Sequence, residues 1–392
     1  MADKAALVLL LCILALVFAD QAFVGTASNG SLLLRPGDGQ QLILDGLDFR
    51  ALVAALTERL ETVERQLAGQ QGVVAADVTT ITGLGAGSKW WGGVLATNGL
   101  IYGIPSNSVS VLIIDPTTNK ADTTTITTLG GNGKWFGGVL AGNGKIYGIP
   151  HHSEAVLIID PDTNTADTTT ITGLSETSKW AGGVLAGNGK IYGIPCLAKS
   201  VLIIDPATNT ADTTFITGLS GGCLWHGGVL AGNGKIYGIP LYSASVLIID
   251  PATNTADTTT ITGLMSGGTK WVGGVLAGNG KIYGIPHYSA SVLIIDPTTD
   301  TADTFAITSS GDARWHGGVL AGNGKIYSMP FSSALVLIID PATNTADSTT
   351  INSLSGSAKW AGGVLAGNGK IYGIPQDSAS VLILQQLVTK GL

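Results

Sequence analysis

The residue types most able to do chemistry fall at two positions of a repeating pattern. One position directly follows a tryptophan. The other comprises the two residues that follow a proline, and this proline lies 15 residues after the tryptophan. Histidine exchanges protons and ligates metals, and aromatic rings stack on ligands. These positions hold all five histidines, so they supply the predicted ligand-binding residues. The predicted residues are Trp91, Phe136, His151, His152, His226, Tyr242, His287, Tyr288, His316 and Phe331.

Two further chemistries can be weighed from residue types. A zinc site through His226 and His316 would need two repeats that are not neighbours, and a metal is therefore not predicted. The distinctive carboxylates lie in different repeats, and no nucleophile motif, phosphate loop or carboxylate pair is present. The sequence thus predicts no catalytic residue and no cofactor, with a propeller hydrolase or lactonase as an alternative. The carboxylates considered are Glu154, Glu176, Asp312 and Asp377.

Cations precede six of the seven repeated tryptophans. Rigid aromatic groups bury area at a small entropic cost, and together with histidine and lysine at a rim they suit recognition of a protein or a glycan. We therefore expect the cations to contribute to a binding face. They are Lys89, Lys134, Lys179, Lys270, Arg314 and Lys359.

Seven copies of one unit must position these residues. The pattern Trp-x-Gly-Gly-Val-Leu begins at residues 90, 135, 180, 225, 271, 315 and 360, with spacings of 44 to 46 residues. A complete unit holds four segments rich in β-branched and aromatic residues, separated by AGNG, a proline loop, DPATNT and a Gly/Ser-rich loop. Four short strands in about 45 residues is the blade length of a β-propeller. The sequence therefore predicts an all-β, seven-bladed propeller with four-stranded blades.

The ends of the repeat region predict how the ring closes. The seventh unit departs from the pattern after VLIL at 381–384, and so it lacks the fourth segment. The stretch AADVTTITGL at 75–84 has that segment's sequence and precedes the first tryptophan. We expect this N-terminal strand to complete the last blade, which leaves no open edge.

The unit resembles kelch-like and YVTN-type propeller repeats. Gly92 and Gly93 ahead of a strand are similar to the kelch pattern, and LIIDPATNT at 202–210 is similar to the strand and turn of YVTN repeats in prokaryotic surface proteins. The resemblance implies the propeller fold over about residues 75 to 385. Propellers of this kind bind proteins, sugars or ions, and some are enzymes. The tryptophan here precedes the glycine pair, so kelch-type contacts are not carried over.

The nearly invariant residues have structural roles in this prediction. The tryptophans should pack between blades, the Gly-Gly pairs should let inner strands approach, and Asn143-Gly144 should form a type I′ hairpin turn. Asp115 and its copies suit Asx turns, although the recurring D-x3-N-x2-D spacing also offers oxygen ligands to calcium. The AGNG and DPATNT loops should share one constant face, while the loops that vary between copies share the other.

The N-terminal segment predicts export and association. Residues 1–19 have a lysine, an apolar run and a terminal alanine typical of a signal peptide, or of a membrane anchor if retained. Residues 20–74 form a second unit, with a hairpin over 32–44 and a helix over 49–68. A heptad seam on that helix suggests homo-oligomerisation, and the alternative is a helix packed on the propeller. The seam residues are Phe49, Val53, Leu56, Leu60, Val63 and Leu67.

Composition narrows the function. Charged residues are only 12%, glycines number 56 and the net charge is −7, so a basic nucleic-acid binder is excluded. After the signal only Cys196 and Cys223 remain, which permits one disulfide. We expect residues 75–392 to form a secreted or cell-surface propeller that recognises a protein or glycan, or alternatively a structural subunit of an extracellular layer or filament.

Overall fold

The protein is described by a computed structural model that covers most of the repeat region and three short N-terminal strands. The described residues are 23–26, 32–35, 42–44, 74–219, 222–265, 267–307 and 314–386. They fall into two units, the small N-terminal sheet and the repeat region. The helix predicted over 49–68, with its heptad seam, and the signal segment 1–19 lie outside the described residues. Within the described part of the chain no helix is long and apolar enough to cross a membrane.

The N-terminal unit contains a three-stranded sheet formed by Phe23–Thr26, Leu32–Arg35 and Leu42–Leu44. The second and third strands pair antiparallel, with Leu32 opposite Leu44. The first strand was not predicted, and it pairs with the second, placing Phe23 opposite Arg35.

The repeat region is an all-β propeller of seven four-stranded sheets, which confirms the predicted fold. We number the blades 1 to 7 by their tryptophans, from Trp90 to Trp360. The strands, innermost first, are Trp90–Leu95, Ile101–Pro105, Leu112–Asp115 and Lys120–Asp122 in blade 1; Trp135–Leu140, Ile146–Pro150, Leu157–Asp160 and Thr165–Asp167 in blade 2; Trp180–Leu185, Ile191–Pro195, Leu202–Asp205 and Thr210–Asp212 in blade 3; Trp225–Leu230, Ile236–Pro240, Leu247–Asp250 and Thr255–Asp257 in blade 4; Trp271–Leu276, Ile282–Pro286, Ser291–Asp296 and Thr301–Ala306 in blade 5; Trp315–Leu320, Ile326–Pro330, Leu337–Asp340 and Thr345–Asp347 in blade 6; and Trp360–Leu365, Ile371–Pro375, Leu382–Gln386 and Val74–Asp77 in blade 7.

The N-terminal strand closes the ring. Val74–Asp77 pairs antiparallel with Leu382–Gln386, placing Asp77 opposite Ile383 and Ala76 opposite Leu384. The two ends of the repeat region are therefore hydrogen-bonded in one sheet, as the displaced AADVTTIT segment predicted.

Apolar side chains fill the space between adjacent blades. In one such core, Val94 and Tyr102 of blade 1 pack with Trp135 and Ile146 of blade 2. The Trp135 indole N–H donates to the Ala155 carbonyl oxygen at 2.8 Å, so this buried polar group has a hydrogen-bond partner. The interblade packing predicted for the tryptophans is confirmed.

The glycine pairs allow the innermost strands to crowd around the axis. Gly182 has a φ of +84°, and a Cβ built there would lie 3.1 Å from the Gly227 Cα of the next blade. A Cβ on Gly183 would lie 2.5 Å from the Ile149 side chain. Neither position has room for a side chain, which explains why the pair is repeated.

The AGNG hairpin turn differs from the predicted type I′ geometry. Gly144 is left-handed with a φ of +79°, but Asn143 does not have a positive φ, and the Gly144 N–H donates to the Ala141 carbonyl at 3.0 Å. This is a type I turn followed by a left-handed glycine bulge. Asn143 keeps ordinary φ while its amide donates to the Tyr147 hydroxyl and to the Pro206 carbonyl of the next blade, so it also ties two blades together.

The DPATNT loop forms the predicted Asx turn, and its oxygens already have partners. Asp160 Oδ1 accepts from the Asp162 N–H at 3.0 Å, and Asp160 Oδ2 lies 3.2 Å from Lys145 Nζ. Asn164 is left-handed, with a φ of +51°, and its Oδ1 accepts from the Tyr102 hydroxyl of the preceding blade at 2.6 Å. The groups considered for calcium thus serve the turn and the junction between blades.

Candidate functional site

The two varying positions of the repeats converge on one pocket. Its volume is about 350 Å³, and it is lined mainly by apolar and aromatic surface contributed by residues after the tryptophans and after the prolines. Seven of the ten predicted residues line it, joined by other side chains at the same repeat positions. The predicted ones are Trp91, Phe136, His151, His226, His287, His316 and Phe331. We call this the axial pocket, because residues after the repeated tryptophans come from the innermost strands.

One wall of the axial pocket is a stack of parallel rings. The Trp91 and Phe136 centroids are 4.3 Å apart with a 6° angle between planes, and Phe136 and His151 are 3.8 Å apart at 7°. These three rings come from blades 1 and 2. Both faces of Phe136 are therefore covered within the stack, and the stack can meet a ligand through its ring edges or the outer face of Trp91.

Histidines from nonadjacent blades meet on the opposite side. The His226 and His316 centroids are 5.2 Å apart and nearly perpendicular, and His316 also lies 4.8 Å from Trp91, edge to face. His287 lies 6.4 Å from His316. The separation of blades 4 and 6 in sequence therefore does not separate their side chains, because innermost strands converge. Even so, among the described residues no group of three or more His, Cys, Asp or Glu forms a metal-binding cluster.

Burial keeps these imidazoles neutral. Desolvation lowers the pKa of His226 to about 3 and that of His151 to about 4, and it holds the pKa of His316 well below its ordinary value. The Nδ1 atoms of His151 and His287 lie 3.0 and 3.1 Å from the carbonyl oxygens of Trp180 and Trp315. Since a carbonyl only accepts, these two rings carry the proton on Nδ1 and leave Nε2 as an acceptor.

Two side chains of the axial pocket have buried polar atoms without a partner in the described part of the chain. They are Trp91, through its indole nitrogen, and His316, through both ring nitrogens. The seven repeated tryptophans differ, because each donates its indole N–H to the backbone carbonyl 20 residues further on. A buried donor without a partner destabilises the folded protein, so a hydrogen bond from a ligand to one of these atoms would contribute more binding free energy than one to an atom that already has a partner.

Three predicted residues lie outside the pocket lining. His152 is exposed, stacks on His151 at 4.8 Å and places Nε2 2.9 Å from Ser178 Oγ. Tyr242 and Tyr288 are 45% and 51% exposed on neighbouring blades, and the Arg314 guanidinium lies 3.9 Å above the Tyr288 ring. These three residues are therefore available on the same loops without entering the pocket.

The lysines before the tryptophans do not face a ligand, contrary to the expectation from sequence. Lys134 is 4% exposed, and its ammonium donates to the carbonyls of Ser106, Ser108 and Gly131 at 2.8 to 2.9 Å. Desolvation lowers its pKa to about 8. Lys89, Lys179, Lys270 and Lys359 likewise each donate to the carbonyl of the first residue after the proline in the preceding blade. We call this contact the lysine staple.

Blade 4 has Leu224 where the staple lysine would stand, and a disulfide takes its place. Cys223, the residue before Leu224, is bonded to Cys196, the first residue after the proline of blade 3. The disulfide thus joins the same two loops that a lysine staple joins elsewhere. Both cysteines line the axial pocket, together with Leu241 and Val272. The predicted site residues did not include these four, although all except Cys223 occupy the two varying positions.

Comparison with known proteins shows the fold alone. No protein-family model and no curated protein matches the sequence. A streptogramin B lyase structure is similar with a TM-score of 0.65 and 11% identity, covering 80% of this chain and 98% of that one. A catalytically inactive virginiamycin B lyase from Staphylococcus aureus, determined with quinupristin, has a TM-score of 0.66 and 11% identity over 80% of this chain and 100% of that one.

A further similar structure is the extracellular domain of a hybrid two-component system from B. thetaiotaomicron, with a TM-score of 0.62 and 12% identity over 93% of this chain and 46% of that one. A lyase and the extracellular domain of a two-component system therefore share this architecture. The fold and the site together define a seven-bladed β-propeller with an aromatic, histidine-lined axial pocket.

Proposed function

We propose that this protein is an exported, non-catalytic recognition module that binds a protein ligand on the loops around the axial pocket. The observation that carries the proposal is the convergence of seven diversified side chains on one pocket in which the Trp91 indole nitrogen and the two His316 ring nitrogens have no partner in the described part of the chain. The strands around them are nearly invariant between blades, so these positions distinguish this propeller from a uniform ring.

The rim supports a protein partner. The second residue after the proline is His152, Leu197, Tyr242 and Tyr288 in four consecutive blades, and Leu197 is 45% exposed. Aromatic residues are enriched where proteins bind one another. A glycan fits less well, because among the described lining residues only Ser178 and Thr269 carry hydroxyls and none carries a carboxylate or amide. Sugar hydroxyls would lose their hydrogen bonds to water there.

Export is supported by two features. The apolar run 5–18 suits a signal peptide, and the Cys196–Cys223 disulfide suits an oxidising compartment. Extracellular domains among the similar structures point the same way.

An enzymatic function is a second candidate, favoured by the histidines on the axis and by the lyases among the similar structures. The lowered pKa values of His151 and His226 make them weak bases at neutral pH, and no carboxylate is among the described lining residues. These facts support binding over turnover.

The experiment is to probe arrays of extracellular proteins and of glycans with the mature protein. We expect a protein ligand whose signal is lost in the variants Trp91→Ala and Phe331→Ala and kept in Lys190→Ala, which alters the constant AGNGK turn. A ligand that still binds both pocket variants would overturn the proposal. A glycan whose binding is lost in Trp91→Ala would show that the ligand is a glycan and not a protein. Turnover of the ligand would favour the enzymatic function.

We propose that the N-terminal unit self-associates, so that each oligomer carries several copies of the face around the axial pocket. Light scattering of the mature protein with and without residues 20–73 tests this, and Leu56→Asp or Leu60→Asp should reduce an oligomer in the same way. Residues from Val74 onward must stay, because Val74–Asp77 completes blade 7. A monomer in both forms would refute self-association, while polymers seen by electron microscopy would favour a structural subunit.

A further inference from the structure

We infer that the axial pocket takes an uncharged aromatic ring system that carries a neutral hydrogen-bond acceptor. The inference rests on the proposed function and specifies the chemistry of the group that the ligand inserts. Three properties of the pocket carry it: the shape of its walls, the type of its unpartnered atoms and the absence of charge among its described lining residues.

The walls favour a flat ring. In the stack of Trp91, Phe136 and His151, neighbouring rings are within 7° of parallel, so both faces of Phe136 are covered and the stack leaves its ring edges and the outer face of Trp91 to a ligand. Phe331 lies 5.6 Å from His316 and 6.0 Å from Trp91 at tilted angles. A planar ligand can stack on the outer face of Trp91 or lie against ring edges, the two arrangements that aromatic pairs prefer. A volume of about 350 Å³ lies within the range of small-ligand sites.

The unpartnered atoms favour an acceptor. The Trp91 indole can only donate, and neutral His316 offers one N–H and one lone pair. Both residues line the pocket, so a ligand that reaches these buried atoms meets up to two donors and one acceptor. A ring bearing a carbonyl oxygen would accept a hydrogen bond from the indole N–H, whereas a plain hydrocarbon would leave that N–H without a partner.

The pocket disfavours a charged ligand. Neither a carboxylate nor an ammonium or guanidinium group is found among its described lining residues. The staple lysines, which are the nearest cations in the sequence, direct their ammonium groups to backbone carbonyls. Burial also holds the pKa of His151, His226 and His316 low, so these rings supply no positive charge at neutral pH. A ligand charge would lose its hydration without gaining a counter-charge.

The test uses three probes with one ring system: 2-naphthamide, naphthalene and 2-naphthoate. Binding to the full mature protein is measured by calorimetry and by two-dimensional NMR of the tryptophan indole N–H groups. Eight tryptophans give eight indole signals, and only that of Trp91 lacks a carbonyl partner in the described structure. Trp91→Phe assigns this signal and removes the donor while it keeps a ring in the wall.

We expect 2-naphthamide to bind about tenfold more tightly than naphthalene and to move the Trp91 signal downfield, with 2-naphthoate the weakest of the three. Trp91→Phe should abolish the preference for the amide over the hydrocarbon, and His316→Phe should reduce it. Lys190→Ala is the control, because Lys190 lies on the constant AGNGK turn and is not among the pocket-lining residues, and it should leave all three affinities unchanged.

Several results would overturn the inference. If naphthamide and naphthalene bind equally and the Trp91 signal does not move, the pocket does not recognise a hydrogen-bond acceptor. If naphthoate binds most tightly of the three, the pocket prefers a charged ligand. If none of the probes binds while an array ligand still depends on Trp91, the ring chemistry is wrong and the proposed function stands. If the probes bind as expected but no macromolecular ligand depends on Trp91, the pocket chemistry stands and the proposed function fails.

Discussion

Replacing the disulfide by a lysine staple gives the sharpest test of how blades 3 and 4 are held together. The change Cys196→Ser with Cys223→Ser removes the covalent link, and a further Leu224→Lys introduces the residue that other blades carry at this position. In blade 2 the corresponding ammonium donates to carbonyls of Ser106 and Ser108. The new lysine should reach the equivalent carbonyls at positions 196 and 198.

The magnitude follows from the loop that the disulfide closes. The cysteines are 27 residues apart, and releasing a loop of that length in the unfolded chain costs about 3.5 kcal/mol of stability at 25 °C. A buried charged donor with two or three carbonyl partners contributes about 1.5–3 kcal/mol before its desolvation is subtracted. We therefore expect the staple to restore about 1–2 kcal/mol of the loss.

Guanidinium unfolding of the three proteins measures this, with the wild type under reducing conditions as a fourth sample that should match the double serine variant. Lys179→Leu is the reciprocal control, because it removes a staple at the junction of blades 2 and 3. If Leu224→Lys recovers nothing while Lys179→Leu is destabilising, the disulfide and the staple are not equivalent. If the double serine variant loses less than about 1 kcal/mol, the entropic argument is wrong for this ring.

Three further outcomes are expected. Burial lowers the pKa of His151 to about 4 and that of His226 to about 3, whereas a histidine in the unfolded chain has a pKa of about 6.5. As the pH falls below 6.5 the unfolded chain therefore takes up protons that the folded protein does not, and the free energy of unfolding should drop by about 4 kcal/mol between pH 7 and pH 5, measured by urea titrations. A free energy of unfolding that does not change over this range would contradict the burial of neutral histidines. Gly182→Ala places a side chain at a φ of +84° beside the next blade and should cost about 2 kcal/mol, whereas Gly187→Ala, with nothing within 4 Å, should change stability by less than about 0.5 kcal/mol in the same assay. Tyr192→Phe removes the hydroxyl that donates to Asn254 Oδ1 at 2.8 Å across a junction and should lower the free energy of unfolding by about 1 kcal/mol; an unchanged thermal midpoint would show that the junction does not depend on it.

The fold could be predicted because repetition exposes it. Seven tryptophans at nearly constant spacing define the blades, and the displaced segment at 75–84 defines the closure. The turn after the first strand could not be predicted as well, because Asn-Gly is compatible with more than one turn type. The choice depends on Asn143 reaching the Pro206 carbonyl of the next blade, a contact 63 residues away in the chain.

The candidate site was predictable in position but not in detail. Variation between copies identified seven residues that line the pocket and three, His152, Tyr242 and Tyr288, that lie outside its lining. The sequence could not show which way a side chain points, and the lysines before the tryptophans illustrate this. A cation beside an aromatic residue suggests a binding surface, yet Lys134 turns its ammonium onto backbone carbonyls that only the assembled loops bring together.

The staple and the pocket are linked by one geometric constraint. Each staple fixes the first residue after a proline to the next blade, and three of the five residues held in this way, His151, Leu241 and Phe331, line the axial pocket. The constant part of each loop therefore holds the varying part in place, so a change of side chain there alters the pocket without altering the ring. Because the innermost strands converge, single substitutions in six of the seven similar blades combine into one asymmetric surface. Ligand specificity in such a propeller can consequently change while its stability is preserved.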